Sequence, residues 1–227
     1  MKKQMNDTFI VSFPRSGSHW IRISLESYLG GKSPLSNFFN MMSVSLEQYQ
    51  HMDLSKDFKG THDLDLLFEN SFVLYIYRNP IDTIFSQLMY CEIDLNNLQK
   101  IDELTYLWIR HINKWIFDEN FTKKKEIIQY EKLQNSFELE FAKVIDYFSI
   151  ARDSKKMVFI KDSITKQRIA QIVHDKKVIN LNKDYEDCRE KFHNQYAVYI
   201  IKKLPDRIFN LWIVNNLPFN IKKYWLK

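Results

Sequence analysis

Glycine is scarce in this chain of 227 residues, with four in all, at positions 17, 30, 31 and 60, against an average usage of about 7%. A chain that avoids glycine so consistently keeps it where the backbone needs it. Gly17 falls in a tight turn, Gly30-Gly31 reads as a helix C-cap, and Gly60 lies two residues before His62. Cysteine is nearly as rare. Cys91 and Cys188 have neither metal-ligand spacing nor a disulfide framework, which points to a reducing, cytoplasmic setting. No run is long and apolar enough to span a membrane, and no signal peptide is expected ahead of the first strand. No basic block stands out either. The 33 Lys and Arg are interspersed with 28 Asp and Glu to a net charge of +5, which favours anionic ligands or surfaces but reads more readily as a solvated mixed-charge surface than as a nucleic-acid site. Repeats, low-complexity tracts and clear linkers are also missing. What is present is a globular composition, 45% hydrophobic and 15% aromatic. One domain over 1–227 is expected, with its motifs in 8–150 and a helical part in 151–227.

The stretch TFIVSFPRSGSHW, residues 8–20, organises the rest. Residues 8–13 are apolar, β-branched and aromatic, and read as a buried strand. Pro14-Arg15-Ser16-Gly17-Ser18 breaks it, and Trp20, Ile21, Ile23, Leu25 and Tyr28 then recur at helical spacing, with Ser18 as N-cap. Strand, tight loop and helix make an anion cradle. The first N–H groups of the helix lack intrahelical partners, Gly17 permits close approach, Arg15 adds fixed charge, and the Ser16 and Ser18 hydroxyls donate.

The common nucleotide phosphate loop, G-x-x-x-x-G-K-[ST] ending its second glycine on Gly17, would need Gly at position 12 and Lys at position 18, where the chain has Ser12 and Ser18. A kinase or other nucleotide phosphotransferase is therefore the disfavoured alternative. A second motif follows the strongest strand, SFVLYIYR at 71–78, apolar on both faces as central parallel strands are. Asn79 is a good N-cap and Pro80 suits the first helical position. Arg78 thus stands at a strand's carboxyl end, where open α/β sheets bind ligands, with Ser86 two turns into the helix.

Together these two blocks resemble the PAPS-dependent sulfotransferases. Phe13-Pro14-Arg15-Ser16-Gly17-Ser18-His19-Trp20 resembles the family's 5′-phosphosulfate loop, [YF]-P-K-S-G-[ST]-x-W, with Arg15 for the commoner Lys and His19 where Thr is frequent. Arg78-Asn79-Pro80-Ile81-Asp82-Thr83-Ile84-Phe85-Ser86 resembles its 3′-phosphate motif, R-[ND]-P-x-D-x-x-x-S. The fold implied is α/β, a central parallel β-sheet flanked by helices. The activity implied is transfer of the sulfuryl group of PAPS to a hydroxyl, less readily an amine, of a small-molecule acceptor, free or carrier-bound, with PAP as product and no metal. By the same resemblance Arg15, Ser16, Gly17, Ser18, His19, Trp20, Arg78 and Ser86 bind the cofactor. Tyr130, in Tyr130-Glu131-Lys132-Leu133, stands where the family has an adenosine-contacting Tyr. Tyr130 as plain core is an equal reading. A non-catalytic PAP-binding protein remains the other alternative.

A hydroxyl acceptor needs a base near neutral pH, and His is the side chain suited to it. Six histidines compete, at 19, 51, 62, 111, 174 and 193. The family's base ends a [KG]-T-H segment between the two phosphate motifs, which implies His62 in Gly60-Thr61-His62, with His19 second and His111 read as core or surface. Arg15 cannot donate a proton, because its pKa is above about 12, so its role is to stabilise charge on the leaving phosphate. The family's C-terminal R-K-G-x-x-G-D-W clamp is missing, and Lys183 or Arg189 are its candidate replacements.

Elsewhere the pattern predicts a loop over 32–45, a short helix over 46–52 and a strand over 58–62. It continues with a Trp-rich core helix over 104–121, a strand over 126–130 and helices over 137–148, 164–173, 185–203 and 204–215. The loops 32–45 and 93–102 are the candidate acceptor walls.

Overall fold

The computed structural model describes residues 8–28, 59–62, 72–120, 124–172 and 184–216. The expected loop at 32–45, the helix at 46–52, the Gly30-Gly31 cap and Lys183 lie outside these residues. Four strands, β1 (Thr8–Ser12), β2 (Lys59–Thr61), β3 (Phe72–Tyr77) and β4 (Lys124–Gln129), form one parallel sheet in the order β2-β1-β3-β4. Parallel strands are buried on both faces, and successive residues point to opposite sides. Ile10, Leu74, Ile76 and Ile128 accordingly join one apolar cluster, while Val11, Val73, Tyr75 and Tyr77 join the other.

The first cluster is completed by α1 (Ser18–Tyr28), α4 (Tyr130–Asn135), α5 (Phe137–Tyr147), α6 (Ser154–Ser163) and α7 (Lys166–Ile172). The second is completed by α2 (Pro80–Tyr90), α3 (Leu98–Ile112), α8 (Tyr185–Ile201) and α9 (Asp206–Asn216). The central parallel sheet flanked by helices is the architecture expected. Among the described residues no helix is long and apolar enough to cross a membrane.

Chain order determines where the site falls. From β1 the chain crosses to β2 on one side, and from β3 it crosses to β4 on the other. The carboxyl ends of β1 and β3 therefore flank a switch point, the crevice that open α/β sheets use for ligands. Both anion motifs, residues 13–20 and 78–86, begin there.

Several boundaries differ from the expectation for identifiable reasons. The helix expected over 104–121 starts at Leu98, because the Asn97 side chain accepts from the Lys100 N–H ahead of the first apolar turn. It ends in a π turn, Asn113–Phe117, closed by the Asp118 N–H on the Asn113 carbonyl at 2.9 Å. Tyr130 opens α4 instead of closing the strand. The helix expected over 164–173 is α7, shorter and not capped by Asp162 or Ser163, and an unexpected helix, α6, precedes it. Asp153 caps the polar α6, and the Thr165 carbonyl accepts from Ile169 at 2.9 Å to start α7, so Asp162 and Ser163 end a helix and do not begin one.

Candidate functional site

The loop after β1 turns tightly. The Ser16 N–H reaches the Phe13 carbonyl at 3.3 Å, and the Gly17 carbonyl accepts the first helical bonds, from Trp20 at 3.0 Å and Ile21 at 3.4 Å. The cap is thus Gly17, and Ser18 is the first helical residue. The N–H groups of Ser18 and His19 precede the first intrahelical bond and open on the loop. Arg15 at φ 67° and Gly17 at φ 94° both take the left-handed region. For Arg15 this is backbone strain of roughly 1 kcal/mol or more, a kind that collects at ligand clamps. Gly17 is required twice over, since a Cβ there would also lie 2.6 Å from Cε2 of Tyr130 and closer still to Cδ2.

The second motif docks on the first. Asn79 caps α2 by accepting from the Asp82 N–H at 2.8 Å. Its own N–H and side-chain amide both donate to Glu131 Oε1, at 2.8 and 3.0 Å, tying the Tyr130-Glu131 segment to the motif. The Arg78 guanidinium lies 4.7 Å over the Tyr130 ring and donates to the Arg15 carbonyl at 3.4 Å. Arg15 Nε donates to Ser86 Oγ at 3.1 Å. Trp20 meets the Tyr130 ring edge-on at 5.7 Å and stacks on Phe137.

Asp82 is the hub that sequence reasoning missed. Arg189 grips both its oxygens, at 2.6 and 3.0 Å, His193 Nε2 lies 2.8 Å from Oδ1, and Arg78 stands 3.6 Å from Oδ2. Burial pushes the carboxyl up, but the bonds from His193 and Arg189 and the Arg78 charge outweigh it and hold Asp82 below the usual carboxylate range. Arg189, a candidate replacement for the missing clamp, therefore acts on the Arg78 helix through Asp82. The available signal was Arg189 and His193 at i,i+4 spacing, one face of α8.

His62, partly buried just past β2, brings Nδ1 to 2.5 Å from the Ser12 carbonyl, with Ser12 Oγ at 3.3 Å. A carbonyl can only accept, so Nδ1 carries the ring proton and Nε2 keeps its lone pair. Burial lowers the His62 pKa to about 4, with the Arg22 and Arg15 charges adding to it and the Ser12 bond opposing. Burial also lowers His19 to about 2, reinforced by Arg22, Arg15 and His62, and its Nδ1 lies 3.5 Å from Arg22. Both rings are neutral near pH 7.

All ten expected site residues thus lie at or beyond the carboxyl ends of the strands. Three polar atoms there, Ser16 Oγ, Trp20 Nε1 and Arg78 Nε, are buried without a hydrogen-bond partner among the described residues. Buried polar atoms are ordinarily paired, so these three leave unmet hydrogen-bonding capacity beside the Gly17–Tyr130 contact. Among the described residues no group of three or more His, Cys, Asp and Glu is arranged to hold a metal.

No protein-family model and no curated protein sequence matches the chain. Solved structures do. Mouse sulfotransferase SULT7A1 complexed with PAP superposes at a TM-score of 0.56 with 19% identity, over 82% of this chain and 75% of that one. Retinol dehydratase in complex with androsterone and inactive cofactor PAP gives 0.57 and 12%, over 90% and 83%. The retinol and PAP complex of retinol dehydratase gives 0.56, again at 12%. The chain therefore shares its fold with these PAP-complexed structures.

Proposed function

We propose that this protein transfers a sulfuryl group from PAPS to a hydroxyl of a small-molecule acceptor. The observation that carries the reading is the joining of two cationic anchors at one switch point. Arg15 reaches Ser86 at 3.1 Å while Arg78 reaches the Arg15 carbonyl at 3.4 Å. A ligand with two separated anionic ends suits this pair, and a 5′-phosphosulfate with a 3′-phosphate is such a ligand.

PAPS, when bound, supplies an activated sulfuryl group on a good leaving phosphate. The N–H groups of Ser18 and His19, with Arg15 and Ser16, would hold the 5′ end, and Arg78 and Ser86 the 3′ end. Tyr130 and Trp20 offer aromatic faces for the nucleoside. Arg15 stabilises negative charge that develops on the leaving oxygen, a role in which a fixed, always-charged donor needs little reorganisation. His62, protonated on Nδ1, presents Nε2 to accept the acceptor hydroxyl's proton. No metal is needed in this scheme. Cys91 and Cys188, both free thiols, accord with a cytoplasmic setting.

The test is calorimetric binding of adenosine 3′,5′-bisphosphate, with ADP and ATP–Mg as controls. Preference for the bisphosphate, lost in Arg78→Ala, is the expected result and leads to screening hydroxyl acceptors, free and carrier-bound, with PAPS. Preference for ATP–Mg, or none for the 3′-phosphate, would overturn the reading.

A further inference from the structure

The carboxyl end of α2 is closed by a tight cap. The Ile93 N–H reaches the Leu88 carbonyl at 3.0 Å and the Glu92 N–H reaches the Met89 carbonyl at 3.3 Å, the paired bonds of a Schellman motif. Glu92, at φ 56°, takes the left-handed position that such a cap ordinarily gives to Gly. Tyr90 is therefore the last helical residue, and its partly buried ring packs against the first apolar cluster. Four residues earlier on the same helix stands Ser86, 5% exposed. Residues at this spacing are neighbours on one helix face.

Arg15 meets that face from the loop after β1. Its backbone is left-handed, at φ 67°. Its Nε donates to Ser86 Oγ at 3.1 Å, and its Cζ lies over the Tyr90 ring, 4.9 Å from the centroid. A guanidinium is a rigid plane that both donates at its edge and stacks on aromatic faces. The Ser86 bond locates the edge, and the Tyr90 ring limits how the plane turns about that bond. A Lys ammonium has no plane to orient and no Nε to anchor. The second cationic anchor is built alike, with Arg78 over Tyr130 at 4.7 Å.

We propose that Tyr90 is a positioning residue for Arg15: with Ser86 it presets the guanidinium at the end of the site that takes the 5′-phosphosulfate. This rests on the reading of that end as the phosphosulfate cradle. Tyr90 acts through Arg15 and not on the reacting atoms. A guanidinium held before the ligand arrives loses less side-chain freedom on binding. It also reorganises less as charge builds on the leaving oxygen. The clamp gives Arg15 a use that the commoner Lys would not have at this position.

The test uses the full chain with ¹⁵N-labelled arginine and two ligands, adenosine 3′,5′-bisphosphate and adenosine 3′-monophosphate, which differ only in the 5′-phosphate. The Arg15 Hε signal, assigned by its loss in Arg15→Lys, is expected away from the ordinary arginine position, displaced by the ring current of Tyr90. It returns to the ordinary position in Tyr90→Leu and stays displaced in Tyr90→Phe. Calorimetry is expected to show bisphosphate binding weakened about two- to thirtyfold in Tyr90→Leu, the range of a cation–π contact. Tyr90→Phe keeps the aromatic face and should bind as wild type does, and monophosphate affinity should not change in either variant. In an Arg15→Met background, Tyr90→Leu should cost nothing further. An ordinary Hε position in wild type overturns the proposal, and that reading needs no Tyr90 variant to fold. An equal loss for both ligands, or the same loss without Arg15, overturns it as well, since a merely structural role for Tyr90 would act in that way. Failure of wild type to bind the bisphosphate would instead sink the sulfotransferase reading, while the Hε position would still report whether Tyr90 holds Arg15.

Discussion

The carbonyl oxygen of Ser12 and Nδ1 of His62 are 2.5 Å apart, fifty residues from one another in sequence. The contact joins the last residue of β1 to the residue after β2, so it exists only because those strands are neighbours and parallel. It gives His62 the Nδ1–H tautomer that the proposed base role requires. The folded pKa of about 4 lies below the ordinary value of about 6.5, so the base form persists well into acid. The acid limb of kcat/KM, which reports the free enzyme, is therefore expected near pH 4, with a flat profile from neutrality to about pH 5. An inflection near 6.5 would remove His62 from the mechanism. His62→Ala is expected to cost about 10²- to 10⁴-fold in kcat.

Charges that lower the His62 pKa come from Arg22 and Arg15. A phosphate bound at the loop offsets that positive field. Titrated by NMR, His62 is expected to move upward from about 4 when adenosine 3′,5′-bisphosphate is added. Adenosine alone should leave it in place. No upward movement at saturating bisphosphate would put the 5′ anion site somewhere other than beside His62.

How much of this was legible in the sequence depends on the range of the interaction. β1, β3 and α2 were readable because each signal is local: apolar runs buried on both faces, and an Asn79-Pro80 helix start that the structure shows capped by Asn79 itself. The parallel sheet followed from those runs. α6 was missed because its sequence, SKKMVFIKDS, carries only Met157 and Ile160 into the core and has little amphipathic pattern to read. The Asp82 hub was missed because its partners lie 107 and 111 residues away, and no spacing rule connects a residue on α2 to one on α8. The Trp108 and Trp115 reading as core held, since both are about 1% exposed. His111, read as core or surface, is core.

Three histidines are held neutral by the fold, His111 buried and His19 and His62 partly so, each with a folded pKa lowered by burial, His19 to about 2, His62 to about 4 and His111 to about 3. Between those values and about 6.5 the unfolded chain binds more protons than the folded one, so stability rises with pH across that window. Stability is expected to be level near neutrality and to fall as pH drops below about 6.5, steepening toward 4. Chemical denaturation at pH 7, 6, 5 and 4 tests this. His111→Phe, if it folds, should flatten the slope by one proton, and a slope unchanged by the substitution would mean that His111 titrates normally.

Gly17→Ala meets two obstacles. Its φ of 94° disfavours any side chain, and the new Cβ would press into the Tyr130 ring, which Arg78 and Trp20 hold in place. Backbone strain alone costs about 1–3 kcal/mol. The expected outcome is a loss of that order in unfolding free energy together with at least tenfold weaker bisphosphate binding. In a Tyr130→Ala background the steric part disappears, so the same substitution should cost less there. Equal costs in the two backgrounds would mean that the ring yields freely.

Asp82 makes opposite demands on stability and on binding. Its carboxylate is 6% exposed and gathers Arg189, His193 and Arg78. Asp82→Asn leaves the Arg189 and Arg78 guanidinium groups around a neutral amide. Breaking a buried pair costs about 3–5 kcal/mol, and because the Arg189 side chain is 37% exposed the expected loss is nearer the lower end. That contribution is full above about pH 4 and disappears only in strong acid, since the folded pKa lies below the carboxylate range. Binding should respond the other way. The same carboxylate that orders Arg78 also competes for it, and it repels any phosphate that Arg78 would hold. Asp82→Asn is therefore expected to be less stable in urea yet to bind adenosine 3′,5′-bisphosphate at least as tightly as wild type. Arg189→Ala, which leaves Arg78 as the guanidinium that faces Asp82, is expected to bind it several-fold more weakly. Calorimetry on both variants, at a pH where each is folded, reads the difference. Weaker binding in Asp82→Asn than in Arg189→Ala would show that the carboxylate's ordering of Arg78 outweighs its competition.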